Sequence, residues 1–294
     1  MKIWNKRGKY NSAIYLLIAG LTIVVSFTVL LIVSEETQYR LTEEDGFFES
    51  VGAVGWLVAS IFFLNTFWKD RSGNNLIFFR TRRNLIFCLL GVFCFVACGE
   101  EISWGQRIFK VQTPECLKKI NRQGETNLHN IVLIRSRDEE GKDLPFWARM
   151  LSMTRVFQAF WFGYCVLLPL AGRFSRQIYC SIRNLNIPLI PVGLSAAFLA
   201  NYLVSRVIPF VYYAGGNPND HYFVEVKECN FGILFMLVGF YFLQDMLNGE
   251  PVYERAARSR YELAGQSILA EDQPPAPALT TSVFRKTQED TVSS

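Results

Sequence analysis

The sequence predicts an all-α polytopic membrane protein: a six-helix transmembrane bundle with a short helical outer cap and a disordered C-terminal tail. Three observations predict it. Half of the 294 residues are hydrophobic and 15% are aromatic, and the apolar residues fall in runs near the length an α-helix needs to cross about 30 Å of hydrocarbon. Basic residues gather in every second loop, the pattern left by the positive-inside rule. The last segment, about 262–294, holds Gln273-Pro274-Pro275-Ala276-Pro277 among many Ser and Thr residues and has no periodic apolar face.

The first span, 13–33, follows Lys2, Lys6, Arg7 and Lys9. Its apolar run is too long for a signal peptide and Val33-Ser34-Glu35 is a poor cleavage site, so it reads as a retained anchor. The second, 48–68, carries Gly52 and Gly55 behind Gly46, small residues that allow close helix contact. Lys69, Arg71, Arg80, Arg82 and Arg83 precede the third span, 84–105, whose outer end is Glu100-Glu101. The outer cap, 106–153, has a helix start at Thr113-Pro114-Glu115, an amphipathic stretch from Thr126 to Ile134 and a second start at Asp143-x-Pro145. Span four, 154–172, contains Gln158 and is followed by Arg173, Arg176 and Arg183. Span five, 187–209, contains Pro188 and Asn201, which bundled helices tolerate. Span six, 229–247, leads to Arg255, Arg258 and Arg260, and 251–262 suits a short basic helix on the inner membrane surface. The chain thus divides into a membrane domain, 1–250, and a mostly disordered cytoplasmic tail, 251–294. Both termini fall in the cytoplasm, and loops 34–47, 106–153 and 210–228 face outward.

Net charge is +4, which gives no indication of a nucleic-acid partner. The seven cysteines include no C-x-x-C. Cys88, Cys94, Cys98 and Cys165 lie within spans as small apolar fillers, while Cys116 and Cys229, both expected outside, are a pair whose bonding the sequence leaves open.

Four acidic stretches fall on the outer side: Glu43-Glu44-Asp45-x₃-Glu49, Glu100-Glu101-x-Ser103-Trp104-Gly105-Gln106-Arg107, Glu125-x₃-His129 and Asp220-His221-x₃-Glu225-x₂-Glu228. They hold both histidines of the chain, and charge at a bilayer edge is costly unless it has a use. Helix rise puts Glu100 about 24 Å, and Glu49 and Glu228 about 28 Å, from the inner ends of their spans, so the groups share a layer. Asp45 and Glu49 are four apart; Glu100, Ser103 and Arg107 recur at three and seven; His221, Glu225 and Glu228 at four and seven. Each set would occupy one helical face. Asp220, after Pro218-Asn219, also suits a helix cap.

Three readings compete. In the first, Asp45, Glu125, His129, His221 and Glu225 ligate a divalent metal, Zn²⁺, Mn²⁺ or Fe²⁺, whose open position activates water. In the second, Glu49, Glu100 and Glu101 share protons and act directly as general acid and base, with Arg107 as carboxylate partner or phosphate clamp. In the third, Arg107, Arg155 and Arg206 neutralise the acids in a structural salt-bridge network. Ser103 has no neighbouring His in sequence to activate it, and Trp104 suits an interface anchor. Asp245, near the inner end of span six, is expected to be solvated. Placement at the outer leaflet suits an amphipathic partner, a membrane lipid or lipid-linked substrate. The competing class is non-enzymatic, a transporter or an envelope-complex partner. A carrier needs polar groups near the midplane, where this sequence offers chiefly Asn201 and Gln158.

The strings Glu44-Asp45-Gly46-x-x-Glu49, Gly99-Glu100-Glu101-Ile102-Ser103-Trp104-Gly105-Gln106-Arg107-Ile108-Phe109, Thr113-Pro114-Glu115 and Asn121-x-Gln123-x-Glu125-x-Asn127-Leu128-His129-Asn130 resemble a family of bacterial multi-pass membrane proteins. The resemblance covers about 44–130; it implies a shared polar site and a bacterial cytoplasmic membrane, and implies no reaction. The seven-span ceramidase-like hydrolases hold zinc through three His. Two His and no His-x₃-His argue against membership, so zinc here would need a carboxylate ligand.

Overall fold

The computed structural model describes residues 4–43, 45–70, 76–78, 81–118, 121, 126–127, 145, 152–212 and 220–248. The predicted tail, 251–294, and most of the outer cap lie outside the described residues. Ten helices and one small hairpin are described: α1 (Trp4–Ile32), α2 (Glu35–Thr42), α3 (Phe47–Lys69), β1 (Leu76–Phe78), β2 (Thr81–Arg83), α4 (Leu85–Glu101), α5 (Gln106–Phe109), α6 (Glu115–Lys118), α7 (Met153–Phe174), α8 (Arg176–Asn184), α9 (Val192–Tyr212) and α10 (Asp220–Leu247). Among the described residues the regular structure is therefore helical but for the antiparallel β1–β2 pair, in which Leu76 is the register partner of Arg83.

Five stretches are long and apolar enough to cross a membrane: Ala13–Ile32, Glu35–Lys69, Met153–Phe174, Val192–Val211 and His221–Leu247. Their outward surfaces keep Leu17, Val24, Val54, Ile61, Leu203 and Val207 exposed, as lipid-facing helices do. The expected third span corresponds to α4, whose 17 residues reach about 25 Å.

Contacts between helices fix their directions. Tyr15 Oη on α1 donates to Gln244 Oε1 on α10 at 2.6 Å, while Ser26 meets Asn230, so these helices run antiparallel. Gly52 meets Cys229 and Gly55 meets Gly232, so α3 runs parallel to α10. Ser60 Oγ donates to the Gly91 carbonyl at 2.8 Å, and α4 runs back along α3. Rings of Phe157 and Phe160 on α7 meet Phe231 and Phe235 on α10 in matching order, and Asn201 on α9 reaches Lys227 in opposite order. Between them an aromatic core forms from Trp56, Phe93, Phe157, Phe160, Phe198, Phe231 and Phe235, with neighbouring centroids 4.5–6.2 Å apart.

Several predicted boundaries shift for identifiable reasons. α4 stops at Glu101 because Ser103, Trp104 and Gly105 follow with φ of 46°, 55° and 74°, a left-handed run no right-handed helix contains. The expected single face of Glu100, Ser103 and Arg107 is therefore not formed. Asp45 likewise stands outside α3, at φ 61°, with Gly46 as N-cap. Pro188 and Pro191 hold their approach extended, so the fifth span begins as a helix only at Val192. α7 contains a π-helical turn, Phe162–Leu167, in which the Leu168 amide reaches the Gly163 carbonyl. Pro169 follows, and widening the turn relieves the clash of its ring with the carbonyl four residues back. α10 begins at Asp220 rather than 229, so the last outer stretch is helical. Asp245 is 4% exposed, not solvated: it lies near Tyr15 inside the bundle end. Cys94, Cys98 and Cys165 are buried fillers, and Cys116 and Cys229 are unpaired thiols, one exposed and one buried against Gly52.

A candidate carboxylate site at one end of the bundle

The site begins with glycines. A Cβ on Gly55 would lie 2.7 Å from the Gly232 carbonyl carbon, and one on Gly52 3.0 Å from the Cys229 Cα. On the other side of α3, a Cβ on Gly91 would lie 2.7 Å from Leu64. With no side chains to intervene, α3 is drawn against both α10 and α4. The same ends of these helices carry Glu49, Glu101, Glu225 and Glu228, and all four are partly buried.

Glu101 is the centre. Its carboxylate lies within electrostatic range of Glu228, Glu225 and Glu49, in that order of strength. Trp56, 2% exposed, turns its indole N–H towards the same carboxylate; the N–H has no partner at ordinary hydrogen-bond length. Positive charge reaches the cluster from Lys227, whose Nζ is 3.2 Å from Glu228 Oε1; the lysine side chain is 9% exposed, the glutamate 41%. His221 Nδ1 is 3.4 Å from Glu225 Oε1, one turn along α10, so His221, Glu225 and Glu228 do share the predicted face. His221 itself is largely exposed, at 69%. Glu49 accepts a short hydrogen bond from the Asp45 backbone N–H, which closes the N-terminus of α3 in the manner of a capping box. Glu100, though adjacent to Glu101, turns away: its Oε1 accepts from Trp104 Nε1 at 2.8 Å.

The left-handed turn after α4 is held by side chains. Trp104 folds back onto Gly99, where a Cβ would meet the indole at 2.9 Å. Gln106 Nε2 donates to Thr113 Oγ1 at 2.6 Å, and its Oε1 accepts from the Thr126 N–H at 2.9 Å. Thr126 Oγ1 donates to the Ser103 carbonyl at 2.7 Å, and Asn127 Nδ2 to Ser103 Oγ at 3.3 Å. Asn121 Nδ2 closes the network on the Asn127 carbonyl at 2.7 Å. These polar residues lie within the motif strings and tie residues 103, 106, 113, 121, 126 and 127 into one hydrogen-bonded network. Ser103 belongs to this network rather than to a nucleophile–base pair.

Deeper between the helices lies a polar group that hydropathy hid. Asn201 Nδ2 donates to the Lys227 carbonyl at 3.0 Å, so its Oδ1 is the acceptor for Asn230 Nδ2, at 2.9 Å. Asn230 Nδ2 also donates to Ser26 Oγ at 2.9 Å, and both asparagines are 0% exposed. The Lys227 carbonyl fixes the orientation of the chain, and the Asn230 Oδ1 is left without a partner among the described residues.

The chain matches no protein-family model, and searches of curated proteins and of solved structures find no similar chain. The site is therefore read from its own chemistry.

Of the predicted site residues, the fold brings Glu49, Glu101 and Glu225 together and adds Glu228 and Lys227. It turns Glu100 outward and leaves Asp45 engaged through its backbone. Glu44, Glu125 and His129, and the side chains of Arg107 and Asp220, lie outside the described residues. Arg155 and Arg206 are both exposed; Arg206 stands over the Tyr202 ring at 5.7 Å, and neither pairs with an acid among the described residues. Two of the three arginines proposed to neutralise the cluster therefore do not. Among the described residues no three His, Cys, Asp or Glu side chains are arranged to hold a metal ion. Lys227 and Trp56 were the residues that sequence reasoning missed. Lysine directly before Glu228 was a signal for the first, and for the second there was none beyond its place between Gly55 and Ala59.

Proposed function

We propose that this chain is a multi-pass membrane enzyme whose carboxylates act as acid and base on a lipid or lipid-linked substrate, in a hydrolase or transferase reaction. One observation carries the reading: Glu101 on α4 lies within electrostatic range of Glu49 on α3 and of Glu225 and Glu228 on α10. Carboxylates that interact electrostatically titrate as a coupled set, so one cluster can supply both a proton donor and a proton acceptor. Lys227 and the Trp56 N–H orient and balance them. Position at the bundle end suits a substrate whose head enters the polar layer while its tail stays in the bilayer.

In the same reading α4 is a sixth span, the termini are cytoplasmic and the site faces outward across a bacterial cytoplasmic membrane. The alternating basic loops and the alternating helix directions support this. A metal-dependent form of the chemistry would build on the His221–Glu225 pair and need Glu125 and His129 to complete it.

The test is turnover. Purified protein in vesicles is offered a panel of phospholipids, glycolipids and prenyl-linked lipids, with products read by mass spectrometry, beside Glu101→Gln. Turnover lost in Glu101→Gln, with the variant's melting behaviour intact, supports the reading. Equal turnover in both proteins, or none with any lipid class, overturns it. Metal content measured on the same preparations, with His221→Ala, decides the metal-dependent form.

A non-enzymatic carrier is the second reading, and a specific observation favours it. Ser26, Asn201 and Asn230 are buried and hydrogen-bonded to one another between α1, α9 and α10, polar groups within a bundle. Solute flux into vesicles, lost on Asn230→Leu, would select it.

A further inference from the structure

The opposite end of the bundle carries a surface with a different chemistry. α8 joins α7 to the extended segment before α9, and its residues divide cleanly. Ile178, Ile182 and Leu185 fall on one face, and Phe174 stands at the end of α7, just before the extended Ser175. Only Ile182 is buried, against Gly172; Phe174 is 84%, Leu185 61% and Ile178 41% exposed. Arg176 and Arg183 occupy the other face, and Arg173 stands just before it, all exposed. A short helix with an exposed apolar stripe and a cationic back lies in a membrane interface.

A second observation lies beside it. Asn84 Nδ2 donates to the Asn186 carbonyl at 2.8 Å and so ties the end of α8 to the start of α4. Next to Asn84, Arg83 is 5% exposed. Its Nη1 donates to the Phe67 carbonyl at 3.0 Å, its guanidinium stands 4.8 Å from the Trp68 ring centroid, and its Nε has no partner. Among the described residues no carboxylate pairs with this buried cation. The Asn84–Asn186 bond thus brings the start of α4, with this buried cation, beside the end of α8.

We propose that α8 and the end of α7 form a docking surface for anionic phospholipid of the adjacent leaflet, with the Phe174–Ile178–Leu185 stripe among the acyl chains and Arg173, Arg176 and Arg183 on the headgroups. This requires only that the bundle lies in a membrane and is independent of the chemistry at the other end. A basic residue near a membrane surface is worth about five-fold in affinity for anionic lipid, so three act together strongly.

The test uses the full chain in neutral detergent, titrated with short-chain phosphatidylglycerol or phosphatidylcholine and read by native mass spectrometry. Wild type should prefer phosphatidylglycerol. Arg173→Gln/Arg176→Gln/Arg183→Gln should lose that preference by about ten-fold or more, and the corresponding triple Lys variant should keep it. No preference in wild type, full preference in the Gln variant, or loss in both variants overturns the proposal, as does equal occupancy by inorganic phosphate alone. Should the Gln variant fail to fold, wild type is titrated between about 0.1 M and about 1 M salt, where screening shortens from about 10 Å to about 3 Å. A preference that survives high salt unchanged is then the overturning result.

Discussion

A Cβ placed on Gly232 would lie 2.5 Å from the carbonyl oxygen of Gly52, so α10 and α3 meet backbone to backbone. That contact sets the distance between Glu49 on one helix and Glu225 and Glu228 on the other. Gly232→Ala has no flexible side chain to push aside and must part the helices. We expect a loss of about 1–3 kcal/mol, read as a lower melting temperature in detergent. Gly20→Ala is the control: nothing lies within 4 Å of the added carbon, and the helix preference of alanine should leave stability equal or slightly raised. Equal effects of the two substitutions would remove the backbone contact as the cause.

The left-handed turn after α4 gives a local prediction. Gln106 bridges Thr113 and Thr126, which are otherwise far apart in the chain. Gln106→Leu keeps the bulk but strands a hydroxyl and a backbone N–H. The expected cost is about 1–3 kcal/mol, confined to the segment after α4. Limited proteolysis should cut between α5 and residue 127 faster in the variant, while melting of the bundle stays close to wild type. Unchanged cleavage would mean that the glutamine does not hold the turn.

How far the sequence reveals this site differs from residue to residue. The periodicity of His221, Glu225 and Glu228 predicted a shared face, and α10 provides one because the helix continues through the charged stretch. Hydropathy placed the start of that helix at 229, since charges depress any apolar window even where the backbone stays helical. That displacement hid Lys227 and put Asn230 at a span edge rather than within the bundle. Glu100 and Glu101 read identically in sequence, yet neighbours on a helix point about 100° apart, and only packing against α3 and α10 decides which faces inward. The arginines matched the acids in depth but not in direction around their helices, which spacing along one chain segment does not encode. The left-handed Ser103–Gly105 turn carried a glycine at its end and no other local sign.

The buried amides should behave as a unit. Asn201→Leu removes one of the two acceptors of the Asn230 amide and one donor to the Lys227 carbonyl; Asn230→Leu strands Asn201 Oδ1. Each single change should cost about 1 kcal/mol, the scale of hydrogen bonds between membrane helices. The double variant should cost less than the sum, because the orphaned partners disappear together. Strict additivity of melting free energies would show that the two asparagines do not share an interaction.

Glu101 and Glu228 should respond in opposite directions to the same chemical change. Glu101→Gln removes an ionisable acid held beside three others and keeps the shape of the side chain. Stability at neutral pH should rise by about 1 kcal/mol, because the fold no longer holds an ionisable acid beside three others, while turnover by the acid/base route disappears. Glu228→Gln removes the partner of Lys227, whose side chain is only 9% exposed, and leaves that ammonium without its ion pair. Because Glu228 is itself 41% exposed, solvent softens the penalty, and a loss of about 1–2 kcal/mol is expected rather than the larger cost of breaking a fully buried pair. Lys227→Met added to Glu228→Gln should recover most of that loss, since no unpaired charge then remains. Parallel melting curves for the two glutamine variants would place Glu101 outside the repulsive cluster and leave it a structural residue.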